Sequence, residues 1–420
     1  MLFETFVDAE AMLLWGAFLI ALVLGAVVNK TNFCTMGAVS DLVNIGDTGR
    51  MRAWLFAIAI AVLGVAVLEY TGLVDATSTF PPYRGGNLLL AENILGGLLF
   101  GIGMTLASGC GNKTLIRIGA GNLKSVVVLV IIALIAYFMI NPFPGSDITL
   151  MSVLFYDWIR PLAVNLGSSQ DLGYLLGGDS APSARLAIGI LLGLLLVGFA
   201  FKSADFRGHR DNILGGLVVG LAVVGAWYLT SNIRVESFDG NIPLAEYYQQ
   251  WDMLADSDIG KPAQGRPLAP QSYTFINPMG QTLGYVAGGF ERSLLNFGVM
   301  AVLGVVLGSL LWALLSRGFR IEWFSSSRDV LSHVIGAVLM GFGGTLAMGC
   351  TIGQGITGVS TLAIGSIVTF IAIFLGSALT MKVQYYKMVY EDDANLAKAL
   401  ITSLVDLRLL PEKLRKLEAV

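Results

Sequence analysis

Three cysteines stand out in the 420 residues, Cys34, Cys110 and Cys350. Each lies where an apolar run gives way to glycine and small polar side chains. The stretches are Asn32-Phe33-Cys34-Thr35-Met36-Gly37, Gly109-Cys110-Gly111-Asn112-Lys113-Thr114 and Gly349-Cys350-Thr351-Ile352-Gly353-Gln354. A lone buried cysteine is usually a small, inert hydrophobe. Three of them, each at a break rich in donors, read instead as a site. A neutral thiol is a weak, soft hydrogen-bond donor, and a thiolate is a nucleophile or metal ligand. The odd count and the lack of a CxxC pair argue against a disulfide framework, and no zinc-ligand spacing is present. With only two histidines, His209 and His333, neither a metal site nor a cofactor is expected.

The elements that must position these thiols lie in a membrane. Hydrophobic residues make up 55% of the chain and charged residues 13%, with a mean hydropathy of +0.73. Apolar runs near the ~20 residues needed to cross a bilayer recur along its length. The expected fold class is an all-α polytopic membrane protein of nine spans, near residues 11–28, 53–73, 93–108, 125–140, 185–201, 213–229, 294–315, 330–347 and 364–381. Irregular backbone at membrane depth survives only where protein or a polar cavity satisfies it. The helices broken at the cysteines are therefore expected to be interrupted and re-entrant. A net charge of −3 without a basic cluster gives no sign of nucleic-acid binding. The first ten residues carry acids and no Lys or Arg, so no cleavable signal peptide is expected.

Positive charge sets orientation. With the N-terminus outside, 19 of the 26 basic residues fall on inner segments and the tail. The C-terminus is then cytoplasmic.

Ile94 to Cys110 matches Val334 to Cys350 without a gap at an offset of 240 residues, with Gly96/Gly336, Gly103/Gly343, Thr105/Thr345, Gly109/Gly349 and Cys110/Cys350 among the identical pairs. Close helix packing explains glycines. It does not explain Thr-Leu-Ala-x-Gly-Cys twice, so the repeat is read as a duplication. The span before Cys110 runs inward and the span before Cys350 runs outward, which makes two inverted repeats. Interrupted helices of inverted repeats commonly build a transporter's substrate site near the midplane.

The expected organisation is a first half over 1–140, an outer loop and linking span over 141–211, and a second half over 212–382. That second half carries an outer loop at 231–292, and a cytoplasmic tail follows at 383–420. Leu150 to Leu166 is expected as an interfacial helix, Gly260 to Pro270 as open loop, and Glu391 to Val420 as an amphipathic helix. Arg50 and Arg52 read as orientation markers, and His209 and His333 as loop and interface residues. Glu69 is the one carboxylate well within a span and a marginal candidate for proton coupling.

At these residues a resemblance takes over. Asn32-Phe-Cys-Thr-Met-Gly-Ala-Val-Ser-Asp41, Ala107-Ser-Gly-Cys-Gly-Asn-Lys-Thr114 and Met348-Gly-Cys-Thr-Ile-Gly-Gln-Gly-Ile-Thr-Gly358 resemble the three cysteine motifs of the YeeE/YedE sulfur-transport family. Gly49-Arg-Met-Arg-Ala-Trp54 and Ser272-Tyr-Thr-Phe-Ile-Asn-Pro-Met-Gly280 extend the likeness over most of the chain. The resemblance implies thiosulfate uptake across the inner membrane, the anion passing along Cys34, Cys110 and Cys350 by hydrogen bonding to their thiols. It also implies a cytoplasmic sulfur-carrier partner of the TusA type. Family members assigned to selenium metabolism make a selenium-containing or other sulfur-containing anion the alternative substrate.

The residue chemistry is compatible with that reading. Fixed cations deep in a path would trap a dianion, whereas helix N-termini and neutral donors attract it weakly. Asn32, Asn112, Thr114, Thr351 and Gln354 could supply such donors, and Lys113 could receive the anion at the inner side. The thiols are expected protonated, because burial and a nearby anion disfavour the thiolate. Moving a dianion inward against ~100 mV opposes it by about 4.6 kcal/mol, so consumption inside must sustain uptake. The competing reading, an intramembrane thiol redox enzyme, lacks a CxxC pair and cysteines in the outer loops.

Overall fold

The computed structural model describes residues 1–237, 240–251, 261–262, 268–391 and 394–418. Among them, nine helical stretches are long and apolar enough to cross a membrane. The chain is an all-α polytopic membrane protein.

The first part of the chain contributes α1 (Phe6–Thr31), α2 (Thr35–Ser40), α3 (Gly49–Tyr70), α4 (Leu90–Leu106), α5 (Gly111–Gly119) and α6 (Leu123–Ile140). Then come α7 (Ala181–Phe201), α8 (Arg210–Asn232), α9 (Ile276–Ala287) and α10 (Phe297–Leu315). The last elements are α11 (Ser327–Leu346), α12 (Ile364–Val389) and α13 (Leu396–Asp406). Side-chain caps start several of them. Thr5 accepts from the Asp8 N–H, Asn122 from Ser125, Asn296 from Gly298 and Val299, and Ser326 from Asp329. Each satisfies an orphan donor of a first turn, which the bilayer cannot do.

Glycine sets how the helices approach. Beta carbons built at Gly304 and Gly308 of α10 would lie 2.6 Å from the Phe18 oxygen and 1.9 Å from the Leu22 oxygen of α1, so these backbones run in parallel contact. At the centre α4 and α11 cross antiparallel. A beta carbon at Gly96 would meet the Gly343 oxygen at 2.7 Å, and one at Gly103 would meet the Gly336 oxygen at 2.6 Å. Gly96 and Gly336 are repeat-related, as are Gly103 and Gly343. Each therefore faces the other's equivalent, the exchange of partners a two-fold axis requires. Side helices follow the same rule: α1 packs on α10 as α8 packs on α3, and α4 packs on α12 as α11 packs on α6.

Several connecting segments depart from expectation. Leu150 to Leu166 is helical only as far as Leu162, with a π-turn at Ser152–Tyr156, a helical turn at Asp157–Ile159 and a closing 3-10 turn at Arg160–Leu162. Pro161 lacks the N–H that would continue the helix, and Val164–Asn165 then pairs with Asn87–Leu88 as antiparallel strands. The segment 231–292 is not wholly an outer loop: Tyr273, Phe275, Ile276 and Met279 are fully buried, and α9 packs on α6 and α10. The open loop expected at Gly260 to Pro270 falls largely outside the described residues. The tail helix is only Leu396–Asp406, and it packs on α12. There Asp406 accepts from the Tyr386 hydroxyl at 2.7 Å and pairs with Arg415 at 2.9 Å.

Candidate functional site

The three cysteines occupy one local structure, repeated. Two residues before each, the backbone turns left-handed, at Asn32 (φ 50°), Ser108 (φ 58°) and Met348 (φ 55°). A helical segment then starts directly after each thiol. The N–H groups of Ala38, Thr114 and Gln354 donate to the carbonyls of Cys34, Cys110 and Cys350 at 3.0, 2.9 and 2.8 Å. Every thiol thus sits at a helical N-terminus, where unpaired N–H groups favour an anion. All three thiols are free and buried.

Cys110 is central. It lies within electrostatic reach of both Cys34 and Cys350, and the Thr351 hydroxyl is directed at it. Cys350 accepts from the Gly353 N–H at 3.4 Å and has Thr274 and Phe275 beside it. Cys34 borders a cavity of about 970 Å³. That cavity is lined by Asn32, Lys113, Arg117, Arg50, Arg320 and His209, with Asp41, Asp47, Asp205 and Glu322 interspersed. Arg50 pairs with Asp41 at 2.7 Å. Among the described residues, Lys113 and Arg117 have no carboxylate within 4.0 Å, and Lys113 lies within electrostatic reach of Cys34, Cys110, Arg117 and Arg50.

The other expected donors divide into two kinds. Thr114 turns back onto the Cys110 carbonyl at 3.1 Å, and the Gln354 side-chain amide donates to the Ala347 carbonyl. Both brace the breaks. Asn32 accepts from Lys113 at 3.4 Å. The Thr351 hydroxyl, the Asn112 carbonyl oxygen and the Gln354 carbonyl oxygen are buried without a hydrogen-bond partner of ordinary length. Buried polar atoms are normally paired. Of these three, only the Thr351 hydroxyl can donate to an anion, since the two amide oxygens accept.

Sequence reasoning missed several groups here. Arg50, expected as an orientation marker, and His209, expected as a loop residue, both line the cavity. Trp54, stacked between Phe33 at 4.8 Å and Phe370 at 5.9 Å, buries an unpartnered indole N–H. Tyr83, also buried with a free hydroxyl, lies within electrostatic reach of Cys350. These aromatics carry no periodic signal; the fold alone brings them in.

The end opposite that cavity is tightly built. Arg84 forks the Glu69 carboxylate at 2.5 and 2.8 Å and donates to the Thr361 carbonyl at 2.8 Å. Arg185 bridges Glu69 at 3.1 Å and Asp171 at 2.8 and 2.9 Å. Glu69 is thereby spent on two arginines. Gln170 and Leu172 bond to the backbone of Ile364, Gly365 and Leu362, stapling the far end of the Cys350 segment.

A family model described as sulphur transport matches residues 30–379. The chain belongs to the sulphur transport family. It is therefore a transporter and not an enzyme, as the cysteine motifs implied. A curated relative, the thiosulfate transporter TsuA of Escherichia coli strain K12, is 26% identical over 343 residues, 79% of this chain and 84% of the relative. The thiosulfate transporter TsuA of Spirochaeta thermophila is 22% identical over 376 residues, 87% of this chain and 97% of the relative.

Proposed function

We propose that this transporter takes up thiosulfate across the inner membrane, N-terminus outside and C-terminus in the cytoplasm. The anion passes Cys350, Cys110 and Cys34 in turn by hydrogen bonding to protonated thiols. The observation that carries this reading is the position of Cys110, within electrostatic reach of both other thiols, with Cys34 lining a charged cavity that holds Lys113 and Arg117. The names of the two relatives supply the substrate. A soft thiol suits the terminal sulfur of thiosulfate better than the oxygens of sulfate. Because each donor is weak, the anion is passed on and not trapped.

The reciprocal contacts of α4 and α11 support two inverted halves, over 1–140 and 212–382, that meet at the thiols. Lys113, Arg117 and Arg50 receive the anion on the cytoplasmic side. A sulfur-carrier protein of the TusA type docking over that cavity would consume it and hold the gradient inward.

The test is uptake of labelled thiosulfate, selenite and sulfate by cells or proteoliposomes containing the protein. Saturable thiosulfate uptake that sulfate competes for poorly is the expected result. Selenite uptake with no thiosulfate uptake would assign the site to the selenium anion instead.

A further inference from the structure

Cys34 has a repeat counterpart that is not a cysteine. At the 240-residue offset that relates Cys110 to Cys350, Cys34 corresponds to Thr274. The fold places the two alike. Cys34 leads into α2, which packs on α3 and α12; Thr274 leads toward α9, which packs on the equivalent helices α10 and α6.

The surroundings correspond as well. Cys34 is within electrostatic reach of Cys110, and the Thr274 side chain is directed at Cys350. A beta carbon on Gly353 would lie 2.2 Å from Thr274 Oγ1, while the Gly353 N–H donates to Cys350 Sγ at 3.4 Å. One glycine thus holds hydroxyl and thiol side by side. Thr274 is 7% exposed, and its hydroxyl has no hydrogen-bond partner of ordinary length. It also borders a small cleft, separate from the cavity at Cys34, with Phe80, Gln271 and Asn277.

The two ends differ in charge at matched positions. Lys113 corresponds to Gly353 and Arg117 to Thr357, while Gly37, which leaves room for Arg50, corresponds to Asn277. Lys113 and Arg117, which have no carboxylate within 4.0 Å among the described residues, therefore lie at the Cys34 end, and uncharged residues stand at the matched positions of the Thr274 end. Such a difference draws an anion onward without a cation to hold it at the start.

We infer that Thr274 is the fourth position of the relay and the first donor an incoming anion meets. Its hydroxyl binds an oxygen of thiosulfate while the Cys350 thiol takes the terminal sulfur. The inference rests on the proposed thiol path and adds the residue that begins it.

The test compares labelled thiosulfate uptake by wild type, Thr274→Val, Thr274→Ser and Cys350→Ala, with the amount of each protein in the membrane measured in parallel. Valine keeps the shape and removes the donor, so the KM for uptake should rise about tenfold, the usual scale for a lost bond to a charged group. The maximal rate should stay within about twofold, and serine should restore the wild-type KM, because the donor, not the packing, is lost. An unchanged KM in Thr274→Val, with uptake lost in Cys350→Ala, overturns this inference and leaves the thiol path intact. Full uptake in Cys350→Ala removes both. If the valine variant does not accumulate, Thr274→Cys decides. A membrane-impermeant alkylating reagent should block it several-fold faster than wild type, and thiosulfate should slow the block. Block at the wild-type rate would overturn the inference.

Discussion

Ser108 and Met348, 240 residues apart, turn the backbone through the same left-handed conformation, with φ 58° and 55°. Each ends an antiparallel central helix, and each aims a thiol two residues later. Left-handed backbone strains a β-branched side chain and suits glycine. Ser108→Val should therefore destabilise the protein by about 1–3 kcal/mol, while Ser108→Gly should be neutral or mildly stabilising. Thermal unfolding in detergent reads the difference. Equal midpoints for the two variants would contradict the assignment of strain.

The charge network at the opposite end predicts a pH response. Burial raises the Asp171 carboxyl, but bonds from Arg185 and Ser169, the charge of Arg84 and the Tyr174 N–H outweigh it and hold it at about 2, below the ordinary 3.8. A folded value below the unfolded one gives stability that is present above 3.8 and lost as pH falls toward 2. The contribution is about 2 kcal/mol. The unfolding midpoint of the wild type should hold down to about pH 4 and then drop. Asp171→Asn should start lower at neutral pH and show a shallower acid drop. An identical acid profile in the two proteins would rule Asp171 out as the group responsible.

Close glycine contacts predict a packing defect. A methyl at Gly308 would meet the Leu22 carbonyl oxygen at 1.9 Å, and backbone cannot swing away as a side chain can. Gly308→Ala should cost about 1–3 kcal/mol through overpacking of α1 against α10. At Gly198 nothing lies within 4 Å, so Gly198→Ala should be harmless. Comparison of folded yield after solubilisation checks the pair, and equal yields would contradict the packing described.

The unpaired cations of the cavity predict an electrostatic effect on release. Arg117 has no carboxylate within 4.0 Å among the described residues, so its charge acts on whatever enters the cavity. Arg117→Gln should reduce uptake several-fold, and Arg50→Ala should do so too, since it leaves the Asp41 carboxylate without its partner on the same wall. Initial rates of labelled thiosulfate uptake measure this. Wild-type rates in both variants would return these residues to orientation alone.

Much of this was legible in the chain. Apolar runs at bilayer length gave the nine spans, because a span must cover hydrocarbon whatever its neighbours do. The match of Ile94–Cys110 to Val334–Cys350 was visible in the residues, while the packing of its glycines against one another across α4 and α11 is seen only in the fold. Three more things stayed hidden. Pro161 and the strand pairing of Val164 depend on a distant partner, Asn87–Leu88. The burial of Tyr273 to Met279 could not be seen in a segment whose polar flanks look like loop. Arg50 reads as an orientation marker by position, and only the fold shows that Gly37 leaves space for it to face the cavity.

The proposed path has neutral thiols carry the anion through Cys110. The most direct measurement is uptake of labelled thiosulfate into proteoliposomes by wild type, Cys110→Ala and Cys110→Ser at matched protein amounts. Alanine removes the donor and should abolish uptake. Serine keeps a harder donor and should retain a small fraction of thiosulfate uptake, with sulfate competing better than in wild type. Wild-type uptake by Cys110→Ala would contradict the account and leave the cysteine as a packing residue.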